Sequence, residues 1–252
     1  ELVQTEVQQP ALVATSLAVL AALRAEGFEP DVVVGHSVGE FAALAAAQAL
    51  SVEDAIALVR ERGLAMAEAA RENPGSMAAI LGLEDAVVEE LCKEITGVWP
   101  ANYNCPGQIV ISGQHPAVDE CCDEAELQGA RRTVKLRVSG AFHSPLVARA
   151  AERLKPAIDK AKINDPIAPF MSTVTAKIEP AQRMAALLVE QLTAPVRFTQ
   201  AARELMRQGV KVFVEVGPGN VLSGLLKRID RNVRVISVNN LRMLNELEQA
   251  LD

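Results

Sequence analysis

Gly35-His36-Ser37-Val38-Gly39 sets a serine between two glycines at the spacing of a nucleophile elbow. Such a serine attacks acyl groups once a base removes its proton. The pattern needs a strand before it and a helix behind it. Residues 31–34 end a valine run at Gly35, and residues 38–49 are mostly small and apolar, as a buried helix requires. A strand turning sharply into a helix strains the serine's backbone, and close backbone approach excludes side chains at Gly35 and Gly39. Ser37 then stands at a helix N-terminus, where free N–H groups and the dipole favour a developing oxyanion. The bland alternative is a small-residue turn that packs a helix on a sheet.

Three histidines are available as the base. His36 adjoins Ser37 and projects the other way, which suits a structural role. His115 precedes Pro116 in a polar turn and reads as surface. His143 lies in Ser139-Gly140-Ala141-Phe142-His143-Ser144-Pro145, where the chain re-enters a large domain after a small one. Ligands favour clefts between domains, so His143 is the preferred base. No carboxylate stands out as a third member. Hydrolases of the α/β class carry their histidine late, whereas more than 100 residues follow His143. A serine hydrolase or thioesterase therefore fits poorly. Arg62 is a further candidate: on a helix whose apolar face is Val52, Ala55, Ile56, Val59, Gly63 and Met66, it lies at the edge. Turned inward, it offers a planar fork to a carboxylate. Periodicity alone favours the other option, a snorkelling side chain with its stem on the core.

The elements that must position these groups alternate. A helix over 11–25 has Pro10 in its first turn and Gly27 after it. Ser51 caps the helix carrying Arg62, with Asp54 in the capping-box position. Residues 74–138 read β-α-β-β-α-β, with strands at 77–81, 98–103, 108–112 and 133–138 and helices at 84–95 and 116–127. That order is a ferredoxin-like subdomain. It is inserted into a large α/β-hydrolase-like domain with a parallel sheet, made of residues 1–73 and 139–252. Strands at 167–172, 210–216 and 233–238, helices at 181–192, 199–207 and 221–229, and a terminal helix complete it. Gly217-Pro218-Gly219 lacks the Walker lysine and reads as a tight turn.

Composition narrows the function. The 252 residues are half hydrophobic with 3% aromatics, enough for a sizeable core of helices on a covered sheet. A net charge of −7 leaves no broad cationic face for nucleic acid or anionic lipid. Arg131, Arg132, Lys135 and Arg137 form one basic stretch, suited equally to an acidic protein partner and to a solvated strand edge. Cys92, Cys105, Cys121 and Cys122 fit no zinc spacing, so no metal site is expected. Reduced thiols point to the cytoplasm. The best apolar run, 11–23, falls short of the ~20 residues of a membrane span, and Glu1 and Glu6 stand where a signal peptide would be basic. The chain starts without methionine, as a fragment would.

Several motifs recur together and in order: Gln9-Pro10, Gly35-His36-Ser37-Val38-Gly39-Glu40, Arg62-Gly63 with Met66, Asn102-Tyr103-Asn104, Pro106-Gly107-Gln108, Ala141-Phe142-His143-Ser144, Pro195-Val196-Arg197-Phe198, and Glu215-Val216-Gly217-Pro218-Gly219. On these the chain resembles the bacterial malonyl-CoA:acyl-carrier-protein transacylase family, and also the acyltransferase domains of polyketide synthases. The resemblance implies Ser37 as nucleophile, His143 as base and the backbone carbonyl of Gln191 as the group that orients it. It further implies the Val38 N–H as an oxyanion donor and Arg62 as reader of the malonyl carboxylate. Phe142 would exclude an α-methyl group, and Gln9 would line the acyl pocket. Malonyl-CoA is then the donor and acyl carrier protein the acceptor, with no cofactor beyond the coenzyme A thioester. Two departures stand out. The family's Gly-Gln-Gly-Ser-Gln segment, which supplies a second oxyanion donor, is not in this sequence, and Thr173 stands where the family often has asparagine.

Overall fold

The first helix starts well before its apolar run. In the computed structural model, which describes residues 4–240, 242, 243 and 247, α1 spans Thr5–Ala25 and holds Pro10 inside it. The expectation of a first-turn proline is corrected. Pro10 forgoes only the bond its N–H would make to Glu6, and a stripe of Thr5, Gln9, Val13 and Leu17 recurring every fourth residue is buried regardless. At 21 residues α1 is also long and apolar enough, by length and composition, to cross a membrane. The reading that this stretch falls short of a span is thus corrected as well. In this fold the buried stripe packs on α3.

That partner, α3 (Val52–Glu72), begins at Ser51, whose Oγ accepts from the Asp54 N–H at 2.9 Å. Its buried face is Ala55, Leu58, Val59, Arg62, Gly63, Ala65, Met66, Ala69 and Ala70. Val52 is 46% exposed and off that face, whereas Arg62 is inside it, not at its edge. The reason is close helix approach. A Cβ on Gly63 would come within 2.8 Å of the Glu6 Cα, so α1 rides against α3 and covers the arginine.

Strand β1 (Val33–Val34) runs parallel to β6 (Phe170–Ser172), which pairs antiparallel with β7 (Lys177–Glu179). Strands β8 (Val212–Val216) and β9 (Arg234–Val238) form a separate parallel pair. The expected α/β class is observed, but its parallel strands fall into two short sheets among the described residues. Between them lie α2 (Gly39–Ala46), α6 (Ala148–Lys160), α7 (Ala181–Glu190), α8 (Phe198–Arg207) and α9 (Val221–Ile229). Helix α6, with Ala150, Leu154 and Ile158 buried toward α3, and strand β7 were not expected. Of the expected terminal helix, residues 242, 243 and 247 are described and are helical; the rest lies outside the described residues.

The intervening segment contains β2 (Ser76–Leu81), α4 (Asp85–Glu94), β3 (Val98–Cys105), β4 (Gln108–Gly113), α5 (His115–Leu127) and β5 (Arg132–Lys135). Its antiparallel sheet has the order β3-β4-β2-β5, and Ile80, Leu91, Ile109, Ile111, Val118 and Cys121 belong to a core cluster of their own. Backbone bonds from Tyr103 N to Val196 O and from Val196 N to Ala101 O, each 2.8 Å, tie β3 to the segment before α8. The turn at Gly217-Pro218-Gly219 is structural. Gly217 has φ 123°, a Cβ there would meet Ser16 Oγ at 2.2 Å, and Glu215 caps α9 by accepting from Leu222 N and Ser223 N.

The elbow joins β1 to α2, with Ser37 at φ 53° in the left-handed region. A Cβ on Gly35 would lie 2.2 Å from the Glu40 amide nitrogen. A Cβ on Gly39 would meet nothing within 4 Å, which corrects the expectation that both glycines are sterically required. The close approach is one-sided: Gly39 contributes its backbone, against which Gly35 packs. Gly35→Ala should therefore destabilise by about 1–3 kcal/mol or more, an overpacking cost. Gly39→Ala should stay within about 0.5 kcal/mol of the parent. Urea midpoints for the two variants decide the point, and equal losses would refute it.

Candidate active site

Strand β1 and helix α2 hold the Ser37 hydroxyl where the chain segment 139–144 brings a histidine to it. Ser37 Oγ is 2.8 Å from His143 Nε2, and His143 itself has φ 58°. Such a conformation persists only when its neighbours fix it. Here the His143 N–H donates to Leu192 O at 3.1 Å, and Ser144 Oγ donates to Ala141 O at 2.6 Å. At the other end of the segment, Ser139 Oγ meets Thr5 Oγ1 at 2.9 Å.

The ring's far nitrogen, Nδ1, faces two carbonyl oxygens, Gln191 O at 2.7 Å and Ala194 O at 3.2 Å. Carbonyls only accept, so Nδ1 carries the proton and Nε2 is left with a lone pair toward Ser37. Burial, and then the Arg62 cation, push the imidazole down to about 3, against the pull of the two carbonyls. At neutral pH the ring is an uncharged base.

Arg62, 1% exposed, completes the centre. Its Nη2 donates to Ser37 Oγ at 3.1 Å and to Gln191 Oε1 at 3.0 Å, and Nη1 donates to Gln9 Oε1 at 2.6 Å. Gln9 Nε2 in turn donates to Met66 Sδ at 3.4 Å. The Arg62 Nε is buried without a hydrogen-bond partner. Burial lowers the guanidinium to about 10, with Glu40 opposing, so it stays charged.

Glu40 was missed at the sequence level. It is fully buried, and its Oε1 accepts from Thr173 N at 2.7 Å, Thr173 Oγ1 at 2.9 Å and Ser172 Oγ at 3.3 Å. Its Oε2 accepts from Gln191 Nε2 at 3.0 Å. Burial raises the carboxyl to about 7, while the Thr173 and Ser172 bonds and the Arg62 charge hold it down. A signal for it existed: α2 is otherwise Ala, Phe, Leu and Gly, so its one carboxylate has no polar face to occupy. Thr173, whose departure from asparagine had no evident meaning, thus serves as a double donor to Glu40.

The other candidates divide. Val38 is the N-cap of α2, and its N–H has no acceptor among the described residues while Gly39 N and Glu40 N bond to His36 O and Ser37 O. Phe142 is buried beside His143 in the main core cluster. His36 turns toward β3 and α8, with Nε2 2.9 Å from Asn104 Oδ1 and its ring 5.4 Å from that of Phe198. His115 is exposed. A surface groove between α3 and α6, lined by Asp54, Arg60, Glu61 and Lys160, holds none of these groups.

A hydroxyl, a neutral base and a fixed cation at one point suit attack on an acyl group that carries its own negative charge. Comparison with known proteins agrees. Residues 1–242 match the model of the acyl transferase domain. The malonyl CoA-acyl carrier protein transacylase of Bacillus subtilis strain 168 is 44% identical over 245 residues, covering 95% of this chain and 77% of the relative. The crystal structure of the MCAT from Streptococcus pneumoniae superposes with a TM-score of 0.94 at 39% identity, covering 99% of this chain and 83% of that one. A malonyl-transacylase in complex with its holo type II PKS acyl-carrier protein superposes with a TM-score of 0.96 at 37% identity, covering 99% and 82%.

The depressed His143 ring also sets a stability trend. Unfolded, an imidazole takes up its proton near pH 6.5; folded, this one resists protonation down to about 3. Stability contributed by the neutral ring is therefore complete above pH 6.5 and is lost as pH falls toward 3. His143→Gln removes that titration. The melting temperature of the parent should fall toward, or below, that of the variant across this window. Parallel melting curves from pH 7 to 4 would count against a neutral buried base.

Proposed function

The chain belongs to the acyl transferase domain family, and we propose that it moves a malonyl group from coenzyme A to the phosphopantetheine thiol of an acyl carrier protein through an ester on Ser37. The enzyme is an acyltransferase, with malonyl-CoA as donor and acyl carrier protein as partner. One observation carries the residue assignments: Ser37 Oγ lies 2.8 Å from His143 Nε2 and 3.1 Å from Arg62 Nη2.

In the proposed sequence Ser37 Oγ attacks the thioester carbonyl while its proton passes to His143 Nε2. The negative oxygen that develops faces the Val38 N–H at the start of α2. The C–S bond then breaks and the coenzyme A sulfur leaves with the proton from His143. The carrier's thiol next gives its proton to the same nitrogen and attacks the serine ester, and Ser37 departs with that proton. Gln191 O holds the ring's tautomer throughout. The thioester is itself the activated acyl group, so these steps call on no cofactor.

Arg62 would pair with the malonyl carboxylate, its Nη2 reaching Ser37 Oγ and its Nε still without a partner. Gln9 would keep Nη1 in place, and Phe142 would close the space beside the α-carbon. The carbonyl on Nδ1 weighs against the hydrolase alternative, whose histidine is paired with a carboxylate. Fatty-acid synthesis is the pathway assigned. A polyketide role is the second reading, supported by the likeness to a transacylase that serves a type II PKS carrier. Reduced thiols at all four cysteines suit the cytoplasm. For the carrier we offer the stretch of Arg131, Arg132 and Arg137, exposed and without ion-pair partners among the described residues; Lys135 is taken by Asp119.

Intact mass spectrometry after brief exposure to malonyl-CoA should show one added malonyl group, absent in Ser37→Ala. Arg62→Ala should lose about 10²–10³-fold in kcat/KM for malonyl-CoA, the cost of unpairing a buried charge, yet keep or gain acetyl transfer. Equal losses on both donors would remove Arg62 from this role. Reversing Arg131 and Arg132 to Glu should raise KM for carrier protein and leave KM for malonyl-CoA alone; an unchanged carrier KM would rule out that face.

A further inference from the structure

The Glu40 carboxylate bonds to neither the Ser37 hydroxyl nor His143, yet both partners of that hydroxyl are reached through a residue it holds. The Gln191 side-chain amide donates from Nε2 to Glu40 Oε2 and accepts at Oε1 from Arg62 Nη2, each at 3.0 Å. The same residue's backbone carbonyl takes the His143 Nδ1–H at 2.7 Å. An amide can be turned end for end, and only its neighbours decide which end faces where. Guanidinium only donates, and the four donors on the two Glu40 oxygens fit its carboxylate form, which only accepts. Glu40 is barred from turning its occupied oxygen elsewhere, because Oε1 already receives Thr173 N, Thr173 Oγ1 and Ser172 Oγ. Oε2 is therefore the free acceptor, and it dictates the orientation of Gln191.

We propose that Glu40 is a positioning residue: through the amide of Gln191 it holds Arg62 in the orientation that reads the substrate's carboxylate. This rests on Arg62 having that role. Glu40→Gln is close in shape but breaks the chain of donors and acceptors. The new amide must keep its oxygen toward the three donors, so its NH2 meets the Gln191 NH2. If Gln191 turns over to relieve this, its NH2 meets Arg62 Nη2. In the first case the clash pushes Gln191 from its place beside Arg62; in the second Arg62 loses its acceptor outright. The fold loses little, since an uncharged amide replaces a carboxyl that burial already disfavours.

The experiment measures kcat/KM for malonyl-CoA and acetyl-CoA in the parent, Glu40→Gln, Gln191→Met, Arg62→Ala and the Glu40→Gln/Arg62→Ala double variant, with thermal melts alongside. Glu40→Gln should lose roughly 10–100-fold on malonyl-CoA, the scale of one hydrogen bond to a buried charge. On acetyl-CoA, which has no carboxylate for Arg62, it should change by less than about threefold. In the Arg62→Ala background it should cost nothing further on malonyl-CoA. Gln191→Met, which keeps the backbone carbonyl, should lose more on malonyl-CoA than on acetyl-CoA and decides the matter if Glu40→Gln does not fold. Equal losses on both donors, or an unchanged malonyl rate, overturn the assignment of Glu40. If Arg62→Ala itself shows no preference between donors, the underlying role of Arg62 fails and takes this inference with it.

Discussion

A guanidinium that is almost wholly out of water, 3.1 Å from the Ser37 hydroxyl, is the constraint around which this site is arranged. Removing such a charge from water costs several kcal/mol unless donors are matched by acceptors. Around α3, which carries Arg62, α1 brings Gln9 and the end of α7 brings Gln191 as acceptors, and α2 brings Glu40 behind Gln191. The proximity of α1 to α3, possible because Gly63 has no side chain, closes the cover. Stability and specificity therefore share one set of contacts.

Two residues of the centre sit at positive φ without being glycine, Ser37 at 53° and His143 at 58°. Each such conformation costs on the order of 1–3 kcal/mol and persists where surroundings over-determine it. For Ser37 the surroundings are Gly35 and the first turn of α2. For His143 they are Leu192 O, Gln191 O and the Ser144 side chain. The strain is held at both ends of the 2.8 Å contact, so hydroxyl and imidazole need no rearrangement to meet.

Much of this was legible in the residues, for reasons that differ by residue. The elbow shows because glycine spacing is local, and the β-α-β-β-α-β segment shows because its strands and helices are short and cleanly patterned. His143 stood out only by its place at a domain re-entry, since 106 residues separate it from Ser37. Arg62 was placed at a helix edge because periodicity cannot see a second helix pressed against the first. Pro10 inside α1 was hidden for the same reason: tertiary burial overrides a local break. Helix α6 was overlooked although its buried Ala150, Leu154 and Ile158 recur every fourth residue. Gly39 was over-read, because a glycine pair suggests mutual crowding when only one of the two is crowded. Glu40 escaped because a carboxylate in an apolar helix reads as surface until its four donors are seen.

The charge balance explains why a carbonyl, and not a carboxylate, orients the base. A carboxylate on Nδ1 would raise the imidazole's proton affinity and add a second carboxylate to a space that already holds Glu40. Gln191 O fixes the tautomer with no net charge, which leaves burial and the Arg62 cation free to keep the ring neutral. The cation that lowers the ring's proton affinity is the one that Gln191 also holds through its side chain. One residue thus sets the tautomer of the base by its backbone and the aim of the cation by its amide.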